Sequence, residues 1–316
     1  MRRLTILVIA AACLYSIYWF VGASRIEDGA KAALAQMQAD GWEVSHTDLA
    51  TRGYPSRFDT TITELGLQPP DGSWRYTTPF AQAFTLSYRP THVIAAFADT
   101  HELMTTDQKI AIASDGLRAS GAVSAGPNLP LKEITIEAAT LAFSSSIGWQ
   151  LGIEGVLLAL RPKPDKALNY DLYLGVAQMQ PSQGSPLSDL KFDATIQLDR
   201  TLDRHLAADA SPKIEMIEVR AIQMVWDGIQ VNGAGELTVD GAGVPFGEIE
   251  FKTTDWQKLV PSLSASGLIP PQFQIMAETV LQNLANDNGT LDIPLRFENG
   301  MMQLGPFPLG PAPRLR

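Results

Sequence analysis

The sequence predicts a mainly β protein of the α+β class. We expect a large curved antiparallel sheet or half-barrel, a few packing helices and one N-terminal transmembrane helix. One uncharged stretch stands near the N-terminus, and apolar residues alternate with polar ones through most of the remaining chain. Turn signals, rather than helical crossovers, separate these alternating runs. Alternation is the pattern of a strand with one buried and one solvated face, and short connections favour antiparallel pairing.

The uncharged stretch covers residues 4–22 (LTILVIAAACLYSIYWFVG) and would be about 30 Å long as a helix. Arg2 and Arg3 precede it, which under the positive-inside rule leaves the N-terminus in the cytoplasm. An aromatic run at 18–20 closes it, where amphipathic rings favour the headgroup layer. These features predict a single-pass inner-membrane protein with the bulk of its chain in the periplasm.

Two other interpretations of this stretch stay open. Residues 21–23 (VGA) are an acceptable cleavage site for a signal peptide, although the apolar run is longer than the usual h-region of about 7–15 residues. Cys13 after three alanines has the form of a lipoprotein site, but the apolar run continues beyond it. An uncleaved anchor and a cleaved signal both export the chain.

Composition excludes several classes of function. The 316 residues are 45% hydrophobic and carry a net charge of −10, which allows a sizeable core but gives no basic surface for nucleic acid. The one cysteine, Cys13, lies inside the apolar stretch, so the exported part has no disulfide, thiolate nucleophile or cysteine metal site. We expect no nucleic-acid partner, no metal and no cofactor.

Three segments follow from these patterns: an anchor or signal peptide at 1–23, an N-terminal β-rich half at 24–180 and a C-terminal β-rich half at 189–316. The first half begins with an amphipathic helix over Ser24–Asp40, where Ser24 and Glu27 form a capping box. Between the halves, residues 178–188 (QMQPSQGSPLS) read as a loop because they are rich in Pro, Ser, Gln and Gly.

The predicted strands occupy most of both halves. Residues 191–199 (KFDATIQLD) alternate most strictly. Further alternating runs lie around residues 84–88, 134–136, 149–153, 170–176, 214–226, 229–239 and 248–252. Helices are predicted at 201–208, at 255–264 and from Pro270-Pro271 to residue 286, and Asn299-Gly300 predicts a closing hairpin between residues 290–297 and 300–304.

Several short motifs resemble a known family, the domain of unknown function 2125 of Gram-negative envelope proteins. The matching motifs cover nearly the whole chain: Tyr18-Trp19-Phe20, Gly41-Trp42, Gly53-Tyr54-Pro55-Ser56-Arg57-Phe58, Trp74 before Thr78-Pro79, Tyr88-Arg89-Pro90, and the ending from Gly300 to Leu309. The resemblance implies an exported, membrane-associated, β-rich protein, and it brings no known reaction or functional residue. The C-terminal part is also similar to the ends of larger envelope proteins whose extended β-sheets carry lipid.

Motifs of catalysis do not emerge from the sequence. The four histidines lack the spacing of a metal motif, and His92 and His101 flank an apolar run that reads as one strand. The serines at 144–146 have no partner base, and the glycines of 241–247 join two predicted strands, which favours a wide hairpin turn over a phosphate loop. We therefore expect a protein that is not an enzyme.

The leading functional hypothesis follows from the one-sided sheet. If the helices cover only part of its apolar face, the remainder forms a groove for an acyl chain, and the protein binds or handles lipid. The candidate groove residues are Tyr170, Leu172, Leu174, Phe192, Ile196 and Leu198. Arg57, in a distinctive Gly-Tyr-Pro segment, is a candidate contact for a headgroup or a partner. The alternative is a structural or adaptor protein of the envelope, with a fully packed core and other envelope proteins as partners.

Overall fold

The computed structural model describes residues 1–205, 211–254, 256–265, 274–286, 290–305 and 307–315. Within these ranges, eighteen strands pair antiparallel and three helices accompany them. The predicted class is confirmed: the protein is mainly β, with a large antiparallel sheet and one long apolar helix at the N-terminus.

Contacts divide the chain into two compact units. Unit 1 comprises residues 1–122 and 141–148, and unit 2 comprises residues 123–140 and 149–316. The division into halves at 180 and 189 that the sequence suggested stays a prediction.

Unit 1 consists of one helix and a set of mostly short strands. Its elements are α1 (Arg2–Ala39), β1 (Glu43–Ser45), β2 (Asp48–Arg52), β3 (Arg57–Gln68), β4 (Trp74–Leu86), β5 (Arg89–Phe97), β6 (Thr100–Thr105), β7 (Lys109–Asp115) and β8 (Arg118–Val123). The two long strands, β3 and β4, pair with each other, and each is flanked by two short strands: β2 and β1 beside β3, β5 and β6 beside β4. β5 pairs with β8, and β6 with β7.

The N-terminal helix is a single element of 38 residues, about 57 Å long. The sequence predicted a separate helix capped by Ser24, and this prediction is wrong: Ser24 lies inside α1, where its hydroxyl reaches Asp28 rather than a backbone N–H. Residues 22–27 contain no proline, and extending an existing helix costs far less than nucleating a new one. The apolar stretch and the amphipathic segment therefore form one rod.

Unit 2 is a meander in which successive strands pair with their neighbours in sequence. Its elements are β9 (Leu131–Ser145), whose residues from Leu141 on belong to unit 1, β10 (Gln150–Lys163), β11 (Lys166–Pro181), β12 (Leu187–Leu198), β13 (Ile214–Trp226), β14 (Ile229–Val239), β15 (Pro245–Thr253), α2 (Trp256–Ala265), α3 (Gln274–Leu284), β16 (Leu291–Glu298), β17 (Met301–Leu304) and β18 (Phe307–Pro311). Pairing is antiparallel at every step from β10 to β18.

Turn chemistry sets the register of the later hairpins. Asn299 and Gly300 both have positive φ, 52° and 73°, as a two-residue type I′ turn requires, and they join β16 to β17 as predicted. The Gly-rich segment 241–244 is a hairpin turn, held by Asp240, whose carboxylate accepts the backbone N–H groups of Ala242 and Val244.

Two local predictions in unit 2 need correction. The loop predicted at 178–188 is shorter and covers residues 182–186, because β11 continues to Pro181 and β12 begins at Leu187. The predicted helix at 201–208 is a bend and turn over residues 201–205, and its residues 206–208 lie outside the described ranges. The N–H of Leu202 donates to the Tyr170 hydroxyl, and its carbonyl accepts the N–H of Leu131. Neither group is therefore available for a hydrogen bond within a helix.

Buried apolar residues of unit 2 form two clusters. The first cluster consists of strand residues that pack against one another: Val219 of β13, Leu237 of β14, Ile249 of β15 and Phe297 of β16. The second packs helices on the sheet: Val260 of α2 and Leu281 of α3 meet the β16 residues Leu291 and Ile293. The two helices therefore cover the sheet around β14 and β16.

Candidate functional site

One face of strands β10–β13 carries large apolar side chains. Directly opposed residues of an antiparallel pair share a face, so the register defines this set. We call it the apolar face: Leu158 and Leu160 of β10, Leu172 and Leu174 of β11, Phe192 and Ile196 of β12, and Ile217 and Ile222 of β13. It contains four of the six residues that the sequence nominated for a groove, and the other two, Tyr170 and Leu198, lie on the same side of the sheet, since Tyr170 opposes Ile196 and Leu198 follows Ile196 by two residues.

The six nominated residues differ in burial. Tyr170, 2% exposed, and Leu198, 8% exposed, belong to the core. The Tyr170 hydroxyl accepts the N–H of Leu202 at 2.8 Å, so this side chain also fixes the turn after β12. The other four, Leu172, Leu174, Phe192 and Ile196, are half-buried, and Phe192 packs against the buried cluster of Val219. These four side chains of the apolar face are therefore partly accessible to a ligand. Packing fills the positions of Tyr170 and Leu198, and it also buries Ala194 and Val219, which oppose each other on the same side of the sheet.

The opposite face of the same strands is polar. The guanidinium of Arg220 in β13 binds the carboxylates of Asp171 in β11 and Asp193 in β12, and it also donates to the Thr195 hydroxyl. Arg220 lies on this side because side chains alternate along a strand and Arg220 follows Val219 of the other side.

Electrostatics shape this polar cluster. Burial alone would raise the pKa of Asp171, but the hydrogen bond and charge of Arg220 outweigh it and hold that pKa below its ordinary value. Hydrogen bonding to Asp193 is the largest cause of the raised pKa of Arg220. The cluster joins β11, β12 and β13 on the polar side of the sheet.

A second feature lies in unit 1, where α1 contacts two loops. We call residues 53–57 and 86–89 together the tip of unit 1. Tyr15 donates its hydroxyl hydrogen to the Pro55 carbonyl at 3.0 Å, Tyr18 donates to the Ser87 carbonyl at 2.6 Å, and the Trp19 indole donates to the Arg57 carbonyl at 2.8 Å. These side chains all come from the apolar part of the helix.

The same contact buries aromatic rings. Trp19 stacks on Phe58 with ring centroids 5.6 Å apart, and Tyr54 stacks on Phe20 at the same separation. Trp19 is 4% exposed and Phe58 3% exposed, and Ala23 completes the cluster. The helix is thus an integral part of unit 1.

Arg57 lies at this contact, at the first residue of β3. Its guanidinium forms an ion pair with Asp59 at 2.8 Å and stays more than half exposed. It lines a cavity of about 330 Å³ together with Arg89 and His92 of β5, and the apolar walls of that cavity are Phe84, Leu86 and Ile94. The sequence singled out Arg57 but missed Arg89 and His92, because only the β4–β5 hairpin brings them to it.

His101 and the serine run at 144–146 have structural surroundings. His101 is buried between Tyr76 and Ser114, with its ring nitrogens 2.8 Å and 3.3 Å from their oxygens. Ser145 and Ser146 bond to Gln108 and to the backbone of Lys109 in the turn after β9. No group of three or more His, Cys, Asp or Glu that could hold a metal ion occurs among the residues that the structure describes.

Fold and site together define a class: a β-rich protein whose described residues include one helix, at the N-terminus, that is long and apolar enough to cross a membrane, by length and composition. A family model described as an uncharacterized protein conserved in bacteria (DUF2125) matches residues 19–313, so the chain belongs to that family. This confirms the resemblance seen in its motifs. Neither the curated proteins nor the solved structures provide a match to the chain.

Proposed function

We propose that this protein is a periplasmic lipid-binding or lipid-handling protein, held at the inner membrane by α1, and that it acts without catalysis. The observation that carries the proposal is the set of large apolar side chains on one side of the sheet in unit 2, of which Leu172, Leu174, Phe192 and Ile196 are only half-buried. Exposed contiguous apolar surface on a protein is costly in water and usually marks a binding site. Beside a membrane, an acyl chain is the ligand whose chemistry suits such a surface.

Dimensions support an acyl chain as the occupant. From Phe192 to Ile196, both half-buried, strand β12 advances four residues, about 13 Å at the usual rise per residue. Across the strands, the face extends over four neighbours spaced about 4.8 Å apart. A strip of this length and width, with its polar groups turned to the opposite side, accommodates a hydrocarbon chain without burying an unpaired polar atom.

Photocrosslinking in living cells tests the proposal with a matched pair of neighbouring leucines. Leu158 opposes Leu174 on the apolar face, whereas Leu157 opposes Gly175 and faces the other side of the sheet. We expect Leu158→p-benzoylphenylalanine in the full-length chain to form lipid adducts on irradiation, since its probe sits against the bound chain. Leu157→p-benzoylphenylalanine should form several-fold fewer, as measured by mass spectrometry of the purified protein.

Other results of this experiment overturn the proposal. Equal lipid labelling from Leu157 and Leu158 would mean that lipid contacts are unspecific. A protein adduct of one defined mass from Leu158 would replace lipid handling by the adaptor role, in which the face recruits another envelope protein.

A further inference from the structure

The position of the α1 contacts carries an inference about unit 1 that rests on the membrane attachment proposed above. The tip binds α1 at Tyr15, Ser16, Tyr18 and Trp19. If the tip stood clear of the bilayer, only residues 4–14 would remain to cross it. Eleven residues are fewer than the roughly 17 that the shortest spanning helices use.

Helix geometry gives the depth of the tip. From Arg3 to Tyr15 the helix rises about 18 Å, whereas the hydrocarbon core is about 30 Å thick. The first contact with the tip therefore falls about 12 Å short of the far boundary of that core. Local thinning of the bilayer would reduce this difference, whereas tilt of the helix would increase it, because tilt shortens the rise along the bilayer normal.

Side chains at the tip suit an interfacial position. Tyr88 is 72% exposed, and Tyr54 and Phe20 also present their rings to the surroundings. Val93 and Ile94 on the adjoining strand β5 are exposed as well. Tyrosines and aliphatic side chains at the end of a folded unit are unfavourable in water, and they are favourable where headgroups meet acyl chains.

Charge at the tip is opposite to that of the whole chain. The protein carries a net charge of −10, yet Arg57, Arg89 and His92 converge on one cavity at this end. Within the described part of the chain, the Arg89 guanidinium has no ion-pair partner, and Arg57 is paired only with Asp59. Arginine forks bind phosphate oxygens well, and long basic side chains extend to the phosphate layer from a shallow position in lipid.

We propose that the tip of unit 1 is immersed in the periplasmic leaflet and that the cavity of Arg57, Arg89 and His92 binds the phosphate of an anionic phospholipid. Phe84, Leu86 and Ile94, which line the same cavity, contact the upper part of its acyl chains. Unit 1 then attaches to the membrane in two ways, through α1 and through the lipid bound at its tip.

Immersion of the tip is tested with the full-length chain in nanodiscs, in a Cys13→Ser background that removes the native thiol. Tyr88→Cys places a fluorophore at the tip, and Ser73→Cys places it in the turn after β3, about 40 Å away along that strand. Lipids carrying a nitroxide high on the acyl chain should quench the fluorophore at Tyr88→Cys several-fold more than that at Ser73→Cys. Equal, weak quenching at both positions overturns the immersion.

Phosphate binding is tested with Arg89→Gln. The control is Arg75→Gln, since Arg75 lies at the start of β4 and forms an ion pair with Glu43. Nanodiscs contain phosphatidylcholine and phosphatidylglycerol in equal parts, and native mass spectrometry counts the lipids that stay bound. We expect Arg89→Gln to reduce retained phosphatidylglycerol about five-fold, the factor for one arginine at a lipid surface. Arg75→Gln should retain it as the unchanged protein does.

The outcomes separate this inference from the proposed function. Retention of phosphatidylglycerol by Arg89→Gln at the unchanged level overturns the phosphate site. A chain that fails to enter nanodiscs at all contradicts the membrane attachment itself, and with it both proposals.

Discussion

His101 of β6 lies almost fully buried in unit 1, between Tyr76 of β4 and Ser114 of β7. The Ser114 hydroxyl donates to the Ala98 carbonyl at 3.2 Å, so it accepts from Nε2–H of His101, and Nδ1 accepts from Tyr76. A neutral imidazole satisfies this arrangement. A charged imidazole would also carry a hydrogen on Nδ1, which would then face the hydroxyl hydrogen of Tyr76. Burial accordingly lowers the pKa of His101 below 6.5, against smaller opposing effects of Ala98 and Asp99.

Acid should therefore destabilise unit 1 through this residue. Because the folded pKa is lowered, the unfolded chain binds the proton first, and stability falls as the pH drops below 6.5 toward the lowered value. We expect His101→Gln to remove this part of the pH dependence, whose slope cannot exceed about 1.4 kcal/mol per pH unit for one proton. Urea titrations at a series of pH values measure it. Parallel stability curves for both proteins from about pH 7.5 down through the acidic range would contradict the assignment.

The residues of the candidate sites show what a sequence can predict at this scale. Alternation correctly assigned Leu172, Leu174, Phe192 and Ile196 to one face, because the period of a strand fixes sidedness. It could not tell that Tyr170 is buried, since that depends on the turn at Leu202. Nor could it find the partners of Arg220, since only the pairing of three strands brings Asp171 and Asp193 to its guanidinium.

Among the elements, α1 shows how a physically sound signal can fail. Ser24 and Glu27 have the spacing of a capping box, but a cap acts only where the helix before it has ended. Gly22 was the one residue nearby that could have interrupted the helix, and instead it provides space for the Phe58 ring. The hairpins were predicted better, because their turns depend on local chemistry such as that of Asn299-Gly300.

Two glycines of α1 provide a matched test of the helix contact. A Cβ added at Gly22 would lie 2.8 Å from the Phe58 ring, whereas one added at Gly29 would meet nothing within 4 Å. Alanine in a helix interior is favoured over glycine by about 1 kcal/mol. We expect Gly29→Ala to raise the thermal midpoint of unit 1 and Gly22→Ala to lower it, because Phe58 is packed against Trp19 and Tyr18 and has little room to move.

Near-UV circular dichroism of the full-length protein in detergent follows this transition through the aromatic cluster. Both variants gain the same helix propensity, so their difference isolates the contact. Equal stabilisation by the two substitutions would mean that α1 does not pack on Phe58.

At the scale of the molecule, local periodicity predicted the mainly β class and most of the strands of unit 2, since each of those strands pairs with its neighbour in sequence. Unit 1 was less accessible. β4 uses one half of its length to pair with β5 and the other half with β6, and nothing local in the sequence specifies such a division. The contact between α1 and the tip could not be predicted for the same reason, because the residues that it joins are about 40 to 70 positions apart in the sequence.

The contact between α1 and the tip bears on whether residues 1–23 are cleaved from the mature protein. Cleavage after Ala23 would remove Trp19 and Ala23, leave Phe58 without its cover and abolish the hydrogen bonds of Tyr15 and Tyr18 to the tip. Loss of an aromatic ring from such a cluster costs about 3–5 kcal/mol, a large part of the stability of a typical domain. We therefore expect the protein purified from membranes to have the intact mass of a chain that retains residues 1–23. As a control, Trp19→Ala should keep that mass but expose unit 1 to limited proteolysis near Phe58. A mature chain that begins at Ser24 and resists the same protease would contradict the structural role assigned to α1.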